Sequence, residues 1–234
     1  ETELPANLCP LIKSSYGNIL GQTCPFAFYS DLIVGETTCD GKKKMYELLG
    51  QMKDVHALRL PQGQDRSYEA DMWYEEVKLL KEDLEERFGI MITDDDLRAA
   101  VIKRNRLRRA LVDLYSMQET MPPAMGGVEL MSTLLSGSFS FDTDEYAGRL
   151  EALAAQRRAD QQAGKSPISP DAKRILITGC PTSGLINKVG KVVEDNGGVI
   201  VCLDDCVGER TNRMLVDEDA DDILRAISDR YLAI

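Results

Sequence analysis

The chain has 234 residues, of which 43% are hydrophobic, 29% charged and 6% aromatic, a balance that suits a packed globular protein and excludes a disordered or fibrous one. Its 39 acids against 28 bases give a net charge of −11, which disfavours nucleic acid and an anionic membrane surface as partners. The longest apolar runs, near Ile175–Ile177 and Val199–Leu203, fall far short of a membrane span, so the sequence reads as a soluble intracellular protein.

Residue one is Glu1 rather than Met, and Ala233–Ile234 fall inside an apolar element, so a fragment is expected. Glu1–Lys53 carries short apolar runs, glycines and prolines, with an extended segment at Asp31–Val34; it reads as half of an α/β domain. The polar turn Gly35–Gly41 leads into a helix from about Asp40 that carries Met45, Leu48, Leu49 and Met52 on one side. Thr38 or Asp40 is the expected cap, which places Cys39 at a helix N-terminus. Val55–Leu60 reads as a second strand stopped by Pro61, with a polar loop at Gln62–Ser67.

From Tyr68 to about Tyr115 the apolar period becomes helical, with Met72, Val77, Leu80, Leu84 and Phe88 on one stripe and Leu97, Val101, Leu107, Leu111 and Leu114 on another. Two long helices are predicted, the second opening at Thr93, whose three following aspartates face the positive end of the helix dipole. The basic run Lys103–Arg109 is interleaved with Leu107 and Leu111 and reads as a solvated face rather than a nucleic-acid patch. Pro122–Gly127 breaks the pattern, Val128–Leu135 makes a short helix, and Glu145–Gln162 a longer polar one that runs into a linker at Ala163–Ala172. Arg174–Thr178, a glycine turn, a helix to Asn196 and the strand Val199–Leu203 form a βαβ unit with parallel strands.

The turn Gly179–Gly184 lacks both the G-x-G-x-x-G spacing and the P-loop lysine, so tight strand-to-helix packing accounts for it better than a nucleotide site. His56 is the sole histidine and lies in a strand-like segment, which argues against a Ser-His-Asp triad and against a histidine-bearing zinc site. The cysteines differ. Cys9, Cys24 and Cys39 are separated by fourteen residues each, all in turn or loop contexts where ligands converge. Without histidine, thiolates alone would hold a metal, which favours an iron–sulfur or zinc-thiolate site. A helix start biases Cys39 toward thiolate, and Lys42, Lys43 and Lys44 could offset the cluster's negative charge. The alternative reading, three unrelated buried thiols, stays open because no short C-x-x-C spacing is present. Cys202 reads as core; Cys206, beyond the end of a parallel strand, sits where α/β folds place functional groups, and Cys180 shares that position with less support.

The blocks Asn7–Gly17, Cys24-Pro25-Phe26 and Asp31–Glu47, with Gly35–Glu47 the most specific, resemble the 2-hydroxyacyl-CoA dehydratase D-component family, most closely its double-cubane cluster proteins. The likeness continues through Glu86–Gly89, the arginine-rich helix and Arg174–Pro181. It implies an α/β fold of two Rossmann-like parallel-sheet domains with an intervening helical segment. On that expectation residues 1–64 are the last part of the first domain with its cluster loops, 65–162 the helical segment, and 173–234 the start of the second domain. It also implies a cytoplasmic, oxygen-sensitive protein whose 8Fe-9S double-cubane cluster takes electrons from a separate ATP-hydrolysing 4Fe-4S activator and reduces small-molecule substrates, and it implies a homodimer. Carried over residue by residue, Cys9, Cys24, Cys39 and Cys206 are the expected ligands, with further family cysteines beyond Ile234. Ser14 and Tyr16, beside Cys9, are candidates to hydrogen-bond or protonate the reduced substrate, against the alternative of a packed turn. The runner-up is a 2-hydroxyacyl-CoA dehydratase subunit with a single 4Fe-4S cluster and a paired subunit; a third reading is a non-catalytic electron-transfer or scaffold protein.

Overall fold

The computed structural model describes residues 4–63, 65–179, 186–204 and 211–233. They form two compact units, Glu1–Ile92 and Thr93–Ile234. Each contains helices and a two-stranded parallel sheet whose strands are joined through a helix, an arrangement compatible with the expected α/β class.

In the first unit the chain runs α1 (Pro10–Leu20), α2 (Pro25–Tyr29), β1 (Ile33–Glu36), α3 (Asp40–Leu49), β2 (Val55–Leu58) and α4 (Glu69–Phe88). β1 and β2 pair in parallel from Ile33 opposite Val55 to Glu36 opposite Leu58. The core is a junction of two helical stripes: Ile12 and Tyr16 of α1, four residues apart, are buried with Met45 and Leu49 of α3, also four apart. Ile33 and Val55 of the strands pack against the same cluster. α4 is fastened to β2 and the turn before it by polar contacts. His56 Nδ1 lies 2.9 Å from Asp83 Oδ2, the Arg59 amide donates to Glu76 at 2.9 Å, and Arg87 pairs with Asp54. Glu69 is buried because its carboxylate accepts the amides of Gly63 (3.1 Å) and Arg66 (2.8 Å), which closes the loop ahead of α4.

The second unit holds α5 (Asp94–Ser116), α6 (Gly127–Ser136), α7 (Thr143–Gln162), β3 (Lys173–Thr178), α8 (Lys191–Asp195), β4 (Gly198–Asp204) and α9 (Ile223–Leu232), with a π-helical turn at Ile186–Gly190 before α8. Thr93 starts α5 with a capping box: its hydroxyl accepts the Asp96 amide at 3.2 Å while the Asp96 carboxylate accepts the Thr93 amide at 3.0 Å. The core joins Leu107, Leu111 and Leu114 of α5 to Leu130 and Met131 of α6, Ala147 and Leu150 of α7, and Ile200 and Leu203 of β4. Polar side chains fix the strand to this bundle, since the Gln118 amide donates to the Ile200 carbonyl at 3.1 Å and the Tyr115 hydroxyl meets the Leu203 backbone. α6 begins against β4 so tightly that a Cβ on Gly127 would sit 2.4 Å from Ile200 Cβ and 2.6 Å from its carbonyl oxygen.

The predicted helices and strands from Asp31 to Leu203 have counterparts here, the expected strand at Asp31–Val34 being shifted to Ile33–Glu36 and that at Val55–Leu60 ending at Leu58; the expected turn Gly179–Gly184 lies, after Gly179, outside the described residues. Three helices have no counterpart in the sequence reading: α1, α2 and α9. The first two are short and interrupted by glycine and proline signals, and the last follows an acidic loop that masks its apolar stripe.

Candidate functional site

The sequence placed one cysteine at a helix start; the structure places three. Cys9, Cys24 and Cys39 are the N-caps of α1, α2 and α3. Proline follows Cys9 and Cys24 at the first helical position, where its missing N–H costs nothing and its fixed φ already suits the helix. Cys24 Sγ accepts the Ala27 amide and Cys39 Sγ the Lys42 amide, each at 3.5 Å, so sulfur occupies the role that a serine or aspartate oxygen usually takes. An N-cap sulfur sits at the positive end of the helix dipole.

Cys9 and Cys39 lie at neighbouring helix starts. A Cβ on Gly41 would be 3.3 Å from Ile12, 3.4 Å from Leu8 and 3.8 Å from Cys39 Sγ, so the first turns of α1 and α3 meet at this glycine. Cys24 is held elsewhere. Its amide donates at 3.2 Å to the carbonyl of Asn18, nine residues beyond Cys9 and thus about 13 Å along α1 at 1.5 Å per residue. Among the described residues no three cysteine, histidine or carboxylate groups converge as a metal-holding cluster. Cys180 and Cys206 lie outside the described residues. Cys202 is half-buried within β4, opposite Leu176.

Around Cys39 the electrostatics are organised by a group that sequence reasoning did not assemble. Lys42 turns back from the first turn of α3 to pair with Glu36 at the end of β1, and Thr38 donates to the same carboxylate at 3.3 Å. Burial alone would raise the Glu36 pKa, but the Lys42 hydrogen bond and charge outweigh it and the carboxyl ends lowered. Lys42 is correspondingly raised, burial being outweighed by Glu36 with smaller contributions from Tyr46 and Cys39. Tyr46, one turn along α3 from Lys42, is pushed up by burial and by the Glu36 charge. Its ring crosses β1 directly over Gly35, where a Cβ would fall 2.2 Å from the ring carbon Cζ. The available signal was the i, i+4 spacing of Lys42 and Tyr46 behind an acidic strand end. Lys43 and Lys44 pair with Asp40 and Glu47 on the exposed side of the helix.

The other candidates separate by helix face. Ser14 is exposed on α1, its hydroxyl accepting from the Asn18 amide at 3.4 Å, whereas Tyr16 is buried in the α1–α3 core. Cys24 lines a cavity of about 330 Å³ with Ile19, Leu20, Phe28 and Met52, and Lys53 beside it donates to the carbonyls of Ala27, Phe28 and Ser30 at the end of α2. The donors that the described residues offer at this end of α1 are thus the thiols at two adjoining helix starts, with the Lys42 ammonium, paired to Glu36, near Cys39.

The family model for the 2-hydroxyglutaryl-CoA dehydratase D-component matches residues 1–234. The chain belongs to this family. It is 42% identical over 234 residues to the Escherichia coli (strain K12) protein described as "Putative dehydratase subunit YjiM", an alignment that takes in 100% of this chain and 60% of that relative. The chain thus spans about three fifths of the length of this relative. No helix among the described residues is long and apolar enough to cross a membrane.

Proposed function

We propose that the chain is the cluster-bearing part of a 2-hydroxyacyl-CoA dehydratase subunit, with Cys9 and Cys39 as thiolate ligands of a 4Fe-4S cluster and Cys206 as a further ligand. The observation that carries this reading is the meeting of α1 and α3 at Gly41, which brings two N-cap cysteines to one end of the first unit. Family membership and the description of the relative as a dehydratase subunit support it.

When bound, such a cluster supplies low-potential electron transfer to an acyl thioester. The chain's own residues do the rest. The Lys42 amide donates to Cys39 Sγ and holds the side chain at the helix start, and Glu36 keeps the Lys42 ammonium in place. Ser14, exposed on the helix that Cys9 caps, is the group free to hydrogen-bond a substrate oxygen, while Tyr16 sets the packing of α1 on α3. The two parallel strand pairs support two Rossmann-like domains, and an ATP-hydrolysing iron–sulfur activator and a paired subunit are the partners this reading requires, in the cytoplasm.

A second reading, the ATP-dependent double-cubane reductase with Cys24 as an additional ligand in a homodimer, rests on the number of cysteines outside the strands. The position of Cys24 at the far end of α1 favours the first. Iron and acid-labile sulfide per protomer, measured on the anaerobically purified full-length protein, separate them. One cubane's worth together with activator-dependent dehydration of a 2-hydroxyacyl-CoA supports the subunit. Two cubanes' worth with ATP-dependent reduction of small molecules overturns it in favour of the reductase, and the absence of iron sinks both.

A further inference from the structure

Within the second unit, α5 and α9 bury positive charge that no described carboxylate balances. Arg108 of α5 is 2% exposed and Arg230 of α9 is 5% exposed. Arg108 donates to Asn105 Oδ1 at 3.0 Å and to the Tyr231 hydroxyl at 3.2 Å, and Arg230 to the carbonyls of Met214, at 3.0 Å, and Thr211. All four acceptors are uncharged. The Tyr231 ring is flanked by both guanidiniums, whose central carbons lie 5.8 Å and 4.6 Å from its centroid. Arg104, one turn before Arg108, acts electrostatically on both buried arginines and forms no ion pair among the described residues.

This is unusual in so acidic a chain. Other arginines of α5 and α7 have acids to hand, Arg106 with Glu151 and Asp144, Arg109 with Glu218, and Arg158 with Asp113. Burial together with the Arg230 and Arg104 charges lowers the Arg108 pKa, and burial together with Arg104 lowers that of Arg230, in keeping with cations whose hydrogen-bond partners among the described residues are uncharged. Beside them opens a cavity of about 160 Å³, lined by Arg104, Arg108 and Tyr231 on its polar side and by Val101, Val216 and Ile227 on its apolar side.

We propose that this cavity binds a small organic anion, a carboxylate with a short hydrocarbon body, its head on the Arg104 and Arg108 guanidiniums and its body against Val101, Val216 and Ile227. Guanidinium forks match a carboxylate, and an entering anion supplies a counter-charge that the described residues do not. The apolar wall selects for a hydrocarbon over a bare inorganic anion. The site is independent of the cysteines.

Titration calorimetry and thermal unfolding of the anaerobically purified full-length protein with sodium butyrate test it, with sodium chloride at equal ionic strength, sodium phosphate and 1-butanol as comparisons. Saturable binding of butyrate with a concentration-dependent rise in Tm, absent with chloride and butanol, is expected. Arg104→Gln, at an exposed position that leaves the core intact, weakens butyrate binding about tenfold; Arg108→Lys, its fold checked by circular dichroism, weakens it as well because the fork is lost. Butyrate acting no differently from chloride overturns the site. So does unchanged affinity in Arg104→Gln, and phosphate binding as tightly as butyrate overturns the ligand class.

Discussion

Cys39 shows how much one residue's position can specify. As N-cap it accepts an amide hydrogen bond, and as a thiol it is a proposed ligand for iron. Serine preserves the first role and abolishes the second, because it is itself a favoured N-cap but a poor ligand for iron. Cys39→Ser and Cys9→Ser are therefore expected to keep the far-ultraviolet dichroism of the parent and to lose most of its iron, whereas Cys202→Ala, a strand position in the other unit, retains it; colorimetric iron analysis of the three variants reads this directly. The Glu36–Lys42 pair makes a separate prediction. A carboxylate whose pKa is lowered by folding contributes stability above its ordinary titration range and loses it as pH falls through the folded value. As pH falls below the ordinary carboxylate range the pair should give way, and Glu36→Gln should flatten the acid limb of stability in urea titrations. An unchanged acid limb in the variant would show that the pair contributes nothing.

At the level of elements, the close approach of α3 to β1 depends on a missing side chain. Tyr46 lies over Gly35 with no room for a methyl group, so Gly35→Ala must displace the ring or separate helix from strand. A loss of about 1–3 kcal/mol of stability is expected from such overpacking, measured by denaturant unfolding. Displacement of Tyr46 should also disturb Lys42 and lower iron retention. The periodic elements were readable because each depends on its own sequence: the two stripes of α4 and α5, the Thr93 cap and its aspartates, and the β-branched run of β3 are local signals. α1 and α2 were not, although Cys9-Pro10 and Cys24-Pro25 carry the proline-at-N1 signal. Cysteine is a rare cap, and a helix of five residues such as α2 has too little periodicity to announce itself.

The whole molecule is governed by its charge and by its division into two compact units. With a net charge of −11, the protein should pass through a heparin column at about 0.15 M salt; retention there would mean that the arginines of α5 present a polyanion surface after all. Most of those arginines are instead engaged with acids, as for Arg106 and Arg109, or buried, as for Arg108, which agrees with the solvated reading of Lys103–Arg109 except at that one position. Composition, net charge, the βαβ order and the family blocks around Cys39 were fixed by residue identity and local period, and for these the sequence sufficed. Three features arose from the tertiary structure alone: the helix starts capped by Cys9 and Cys39 meeting at Gly41 while Cys24 is tied to Asn18 near the other end of α1, Ser14 outward and Tyr16 inward, and two arginines buried against one tyrosine. Equal spacing of cysteines along a chain says nothing of their distance in space once a helix of about 16 Å separates two of them. The burial of a charge is set by the helix that packs over it.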